Sequence, residues 1–371
     1  MEASNDSNPR CFPALFGFGD SLTDTGNAQR LFPVAQQRAA LPPYGITFFN
    51  RPSDRFSDGR LTIDFLAQAL DLPFLSPYVK SIESDFSHGA NFAISAATAS
   101  NISFILPFTV QVQVHWWARF LSDVRNAEIR EKMPRHSDVT RGLYMINIGG
   151  NDYNAGLLIH GWSLFQLRDF VPNVVAVIVK AMEDLYNGGA RNFMVFNLPP
   201  IGCTPELLTL IGRMSTTTVL DFDYLGCYMP YNEVISLHNS VLFQALQSLR
   251  LRHLDGLFIY VDYYAIGYEI LNHADSYGFP NAVRACCGPE GISGGLRNYN
   301  PEVQCGESVT IGGITVNATS PCPDPSGYVH WDGVHPTDAF CKVATTMILR
   351  GRYITPSDAF SGCSFNFTAL N

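Results

Sequence analysis

Three short segments of this sequence carry residue types that could make and break an acyl bond. The first, Phe16-Gly-Phe-Gly-Asp20-Ser21-Leu22-Thr-Asp-Thr-Gly26-Asn27, passes from an apolar run into a small polar stretch headed by a serine. A serine hydroxyl becomes a nucleophile only when a base takes its proton, and the base needs an acidic group that fixes its tautomer and stabilises the imidazolium. Asp332 and His335, in Tyr328-Val-His-Trp-Asp-Gly-Val-His-Pro336, could supply both from one turn. The third segment, Ile148-Gly-Gly-Asn151-Asp152, offers an amide side chain as an oxyanion donor, a group whose loss typically costs about 10²- to 10³-fold in rate. Each segment also has a plainer reading. Ser21 suits a helix N-cap, Gly-Gly-Asn-Asp suits a tight turn, and an Asp followed by a His three residues on arises readily in local Asx turns.

What separates the two readings is where the chain puts these segments. Five short, nearly continuous apolar runs, 14–18, 91–94, 143–148, 193–196 and 257–261, have the character of strands buried on both faces of a parallel sheet. Between them lie helical patterns: Leu61–Leu70, with Ile63, Leu66, Ala67 and Leu70 on one face, the long segments 162–187 and 231–253, and a closing helix from near Pro336 to about Arg350. Strand and helix in alternation predict an α/β fold with a doubly wound sheet. Ligands of such sheets bind outside the carboxyl ends of the strands, which is where Ser21 and Asn151 fall. The serine is not in a Gly-x-Ser-x-Gly elbow, which disfavours the α/β-hydrolase fold. No repeat or linker divides the chain, so a single domain is expected over 12–352, with tails at 1–11 and 353–371 and a Cys/Gly/Pro-rich surface excursion over 276–330.

Composition narrows the partners. The chain has 371 residues, 46% of them hydrophobic and 15% charged, which excludes a disordered protein. A net charge of −9 leaves no basic surface for nucleic acid or anionic membranes. The most apolar run, 170–182, is broken by Pro172 and Lys180 and falls short of the roughly 18 to 20 residues of a spanning helix, so no membrane insertion is expected. No phosphate-binding glycine loop appears and no cofactor is implied. The nine cysteines form no Cys-x-x-Cys knuckle, so no metal site is expected. Five of them (Cys203, Cys227, Cys287, Cys305, Cys322) lie in loop-like sequence where disulfides could pin the chain, and the odd count leaves a thiol unpaired. Disulfides and the sequons at Asn5, Asn101, Asn317 and Asn366 point to secretion and glycosylation. Residues 1–11 hold no signal peptide, so the expectation is a chain that begins after signal removal, destined for the cell wall or apoplast, with the vacuole or ER lumen as the alternative. Trp116 and Trp117 read as core residues, and His88, His115 and His330 as structural or exposed.

Taken together, the three segments resemble the GDSL esterases/lipases of the SGNH hydrolase superfamily, in their plant-type branch. Gly19-Asp20-Ser21-Leu22 is similar to the family's first block, Gly150-Asn151-Asp152 to its third and Asp332-Gly-Val-His335 to its fifth. Tyr44-Gly45, Arg55 to Arg60, Gly89 to Ala93, Pro200 to Cys203 and Ala285 to Gly288 are similar to further plant signatures, so the resemblance spans roughly residues 12 to 350. It implies a flavodoxin-like three-layer α/β/α sandwich with a mainly parallel five-stranded sheet. It also implies hydrolysis of O-acyl esters through an acyl-enzyme: Ser21 attacks, His335 serves as base and then acid, and Asp332 orients His335. The oxyanion would sit between the Ser21 N–H, the Asn151 side chain and a backbone N–H of the second block, here Ala96. That block departs from the family pattern, with Ala96 where the pattern Asn-Phe-Ala-x-x-Gly-Ala has glycine. Alanine still offers the N–H, at a cost only if the site demands a positive φ.

Family members act on acyl lipids, small acylated metabolites and acetyl groups of wall polysaccharides, and some transfer the acyl group to another alcohol. The expectation for this chain is acetylated cell-wall polysaccharide or other small acyl esters, because no lid-like apolar helix stands out in the sequence. Its alternatives are an acyltransferase or lipase of the same family and, from another class, a catalytically silent secreted binding protein, for which Ala96 is the motive.

Overall fold

A computed structural model describes residues 11–31, 38–80, 82–102, 104–126, 130–213, 218–289, 295–311 and 314–370. The apolar runs become β1 (Leu15–Gly19), β2 (Gly89–Asn91), β3 (Leu143–Asn147), β4 (Asn192–Phe196) and β5 (Leu257–Val261), parallel neighbours in the order β5-β4-β3-β1-β2. Because successive side chains face opposite sides of a strand, each run feeds two cores. Phe16, Phe18, Tyr144 and Ile146 pack beneath the helices Val110–Asn126, Leu164–Gly188 and Met229–Arg252. Leu15, Leu143 and Met145 pack on the opposite face against Thr62–Ala69, Tyr263–Asn272 and Asp338–Leu349. The result is the expected three-layer sandwich. A Cβ at Gly17 would lie 2.4 Å from Ile63 Cδ1, so the glycine lets the helix 62–69 close onto β1.

The second strand sits earlier than its apolar run, at 89–91 instead of 91–94. The chain still follows β1 beyond Asn91, with Phe92 N donating to Gly17 O and Ile94 N to Gly19 O, 2.7 and 3.1 Å. A sixth, antiparallel edge strand, Ile354–Thr355, pairs with Val261 and Tyr260; two residues carry no period from which it could be foreseen. The closing helix is Asp338–Leu349, capped by Thr337 Oγ1 accepting from Phe340 N at 3.2 Å.

Four disulfides form. Cys286–Cys322 and Cys287–Cys305 pin the 276–330 excursion, Cys203–Cys227 closes the segment after β4, and Cys11–Cys363 ties the two ends together, leaving Cys341 as a buried thiol. Crosslinks closing loops of 18 to 36 residues constrain the unfolded chain by about 3 to 4 kcal/mol each in the loop-entropy view. No described helix is long and apolar enough to cross a membrane.

Candidate active site

β1 delivers Ser21 two residues past its carboxyl end. At that end the Gln113 amide brackets Gly19, accepting from its N at 2.8 Å and donating to its O at 2.7 Å. The chain then turns tightly, with Thr23 N and Asp24 N both donating to Asp20 O and Leu22 N donating to Asp20 Oδ1. Asp24 is the anchor of this turn. Its buried carboxylate accepts from the backbone N of Gly26, Asn27 and Ala28, and across the site from Ser95 N and Ser95 Oγ.

A second buried carboxylate performs the same service from β3. Gly149, at φ 122°, turns the chain into the short helix Gly150–Asn154. Asp152 accepts from Ala99 N at 2.7 Å, Ser100 N at 2.8 Å and Ser100 Oγ at 2.5 Å, while Asn151 Nδ2 donates one hydrogen to Ala97 O at 2.9 Å and keeps its other hydrogen. Ala96 is thus held between two carboxylate anchors, and it stands at φ 63°. The position does demand a left-handed backbone, which costs a non-glycine residue about 1–2 kcal/mol. No described residue accepts from the N–H of Ser21 or of Ala96.

The predicted acid–base pair comes from one turn before the closing helix. Asp332 Oδ1 accepts from Val334 N and His335 N, both at 2.8 Å, and the same carboxylate meets His335 Nδ1 at 2.8 and 3.0 Å. The local Asx turn and the oriented imidazole are therefore one structure. His335 Nε2 lies 2.9 Å from Ser21 Oγ. Tyr44 Oη donates to Asp332 Oδ2 at 2.8 Å, and the Phe56 ring stacks on the imidazole with centroids 4.6 Å apart. Burial works against the Asp332 charge, but His335 and the N–H groups of its own turn outweigh it and hold the carboxyl well below the ordinary range. Burial dominates for other carboxyls around the site: Asp20 is pushed up to about 7, Asp152 to about 6, and Asp24 is raised as well. His330 is buried and kept neutral, its pKa lowered to about 4 by desolvation.

Ser21, Ala96, Asn151, Asp332 and His335 all border one pocket of mixed lining, with about 970 Å³ of open space, where Arg38, Glu206, Asn298, Tyr299 and Gln304 stand among Phe104, Ile105 and Val303. A second pocket, of about 860 Å³, shares Ser21 and Asn151 but is walled by Leu22, Leu198, Ile201, Leu271, Val334 and Phe340. An ester carbonyl at Ser21 would have an apolar recess on one side and a more polar one on the other. Tyr44, Phe56, Asp24 and Asp152 fall in segments quoted from the sequence but carried no role there, and Glu206 was not singled out. Tyr44 stands 288 positions from Asp332, and no spacing links them.

The remaining predicted residues are peripheral. Trp117 is buried in the core and Trp116 packs on Tyr78 and Phe108. Among the sequons, Asn101 is exposed, whereas Asn366 Nδ2 donates to Asp71 Oδ1 at 2.8 Å. Asn317 ends a strand with its side chain outside the described residues, and Asn5 lies outside them altogether. Among the described residues no three His, Cys, Asp or Glu side chains cluster so as to hold a metal ion.

Residues 15–345 match the family GDSL-like Lipase/Acylhydrolase. A GDSL esterase/lipase of Arabidopsis thaliana is 36% identical over 356 residues, covering 93% of this chain and 89% of its own length. GDSL esterase/lipase ENOD8 of Medicago truncatula is 36% identical over 358 residues, 93% of this chain and 88% of the relative. Alpha-L-fucosidase 3 of Arabidopsis thaliana is 34% identical over 353 residues, 92% of this chain and 91% of the relative.

Proposed function

Because this chain belongs to the family of GDSL-like lipases and acylhydrolases and is a carboxylic ester hydrolase, we propose that it cleaves short O-acyl esters of hydroxyl-rich alcohols through an acyl-enzyme on Ser21. The observation that carries this reading is the Ser21 Oγ to His335 Nε2 distance of 2.9 Å, with Asp332 at 2.8 Å from the other ring nitrogen. Ser21 Oγ attacks the carbonyl carbon while His335 Nε2 takes its proton. The negative charge on the carbonyl oxygen is received by the N–H groups of Ser21 and Ala96 and the free hydrogen of Asn151 Nδ2. Asp332 stabilises the imidazolium, which then protonates the departing alcohol oxygen as the C–O bond breaks. A water enters, gives a proton to His335 and attacks the acyl carbon, and Ser21 leaves with that proton as the carboxylic acid is released.

The glycine-to-alanine departure at 96 leaves this scheme intact, because the donor is the backbone. The apolar recess would receive the acyl group and the more polar one its alcohol, and a hydroxyl-rich alcohol at the polar residues is what puts acetylated wall polysaccharide first among the candidate substrates. A relative named for an α-L-fucoside adds support for a saccharide at such a site. Four disulfides fit an oxidising compartment, in keeping with secretion. The test is a series of 4-nitrophenyl esters of rising acyl length, with Ser21→Ala as the blank. The expected kcat/KM peaks at short acyl chains; a peak at the long-chain end overturns the substrate assignment.

A further inference from the structure

The more polar pocket holds a cation and a carboxyl that do not close on each other. Glu206 stands in the first turn of the helix Pro205–Gly212, and its backbone N donates to Gly333 O at 2.9 Å, which fixes it to the catalytic turn between Asp332 and His335. Tyr299 Oη donates to Glu206 Oε1 at 2.6 Å, while Oε2 has no partner among the described residues. Arg38 borders the same pocket and forms no ion pair with any described carboxylate. Burial raises the titration of Glu206, and both groups line the one pocket with no ion pair between them.

One wall of the pocket carries Tyr299. Cys287–Cys305 pins it, and Tyr299 lies so close over Gly333 that a Cβ there would come within 2.2 Å of the ring. A preformed acceptor and donor held apart in this way select their ligand by elimination. An alkyl group would strand both polar side chains without partners. An anion would meet Glu206 and Asp332, and a cation would meet Arg38. Neighbouring hydroxyls satisfy both sides at once, since each hydroxyl can donate to a carboxyl and accept from a guanidinium.

We propose that Glu206, fixed by Tyr299, and Arg38, which lines the same pocket, form a subsite for a neutral polyhydroxyl alcohol, a sugar ring, immediately beside the scissile ester. The assignment rests on the ester-hydrolase reading above and adds to it the residues that select the alcohol. Its test compares two acetyl esters that share one acyl-enzyme and differ only in the alcohol, 4-nitrophenyl acetate and a mono-O-acetylated methyl glycoside. The expected result is that Glu206→Ala and Arg38→Ala each lower the ratio of kcat/KM for glycoside over nitrophenyl ester by about ten-fold or more, while Glu206→Gln, which keeps an acceptor oxygen, lowers it by less. An unchanged ratio, including one in which both esters slow together, overturns the subsite. So does a wild-type enzyme that cleaves the nitrophenyl ester and rejects the acetylated glycoside. Failure of both esters in the wild type would instead strike the ester-hydrolase reading itself.

Discussion

The two halves of the site are built in opposite ways. The acid–base half is a turn of four residues: Asp332 binds the N–H groups of Val334 and His335 and the imidazole of His335 with the same carboxylate. The donor half has no such local closure. Ser21, Ala96 and Asn151 come from three separate segments, and Asp24 and Asp152, neither of which faces the substrate, draw them together through bonds from Ser95, Ala99 and Ser100. The imidazole is placed by its own neighbours, whereas the proposed oxyanion donors are placed by buried carboxyl groups acting across long stretches of chain. The donor half should therefore be the one that distant substitutions damage.

Asp152→Ala is the sharpest way to break this contrast. It removes the acceptor for three donors at once, and kcat is expected to fall by about 10²-fold with stability lower by about 3 kcal/mol, read from steady-state kinetics and urea unfolding. A fall confined to stability would mean that the donors keep their places without the anchor. Tyr44→Phe probes the other half, whose local bonds remain when one long-range donor to Asp332 is lost. A smaller drop in kcat/KM, about ten-fold, is expected, with the fold unaltered by near-UV circular dichroism. A loss as large as that of Asp152→Ala would erase the distinction between the halves.

The pH dependence of stability separates them as well. Burial raises Asp20 to about 7 and Asp152 to about 6 on the donor side, so the folded state binds more protons than the unfolded chain above pH 4. The stability these groups favour is present below about pH 4 and is lost as pH rises through about 7. The depressed Asp332 acts in the opposite sense, losing its contribution only as pH falls below the ordinary carboxylate range. Thermal midpoints should decline from pH 5 to pH 7.5, and Asp20→Asn should flatten the decline; an equal slope in both proteins would remove Asp20 from the account. The smallest effect belongs to Ala96→Gly. Relief of the φ of 63° should raise stability by about 1 kcal/mol, seen as a higher urea midpoint at unchanged m-value.

The same contrast governs what could be read before the fold was known. Asp332 and His335 were legible because their partnership is local, and Ser21 and Asn151 because each follows an apolar run that becomes a parallel strand. The condition attached to Ala96 was also legible, although its backbone angle is imposed by Asp24 and Asp152 from elsewhere. Tyr44 against Asp332 and Cys11 against Cys363 have no sequence signal, since sequence separations of 288 and 352 carry no spacing rule. The edge strand 354–355 was hidden for a different reason: its pairing with β5 is a tertiary event on two residues without intrinsic pattern.

The central claim is that His335 activates Ser21 within a completed oxyanion site. Intact-mass and peptide mass spectrometry after exposure to a fluorophosphonate tests it most directly, with Ser21→Ala and His335→Ala alongside the wild type. A single adduct on Ser21 in the wild type, absent in Ser21→Ala and strongly slowed in His335→Ala, is the predicted result. A folded wild-type protein that takes no label, or that labels equally fast without His335, would contradict the account.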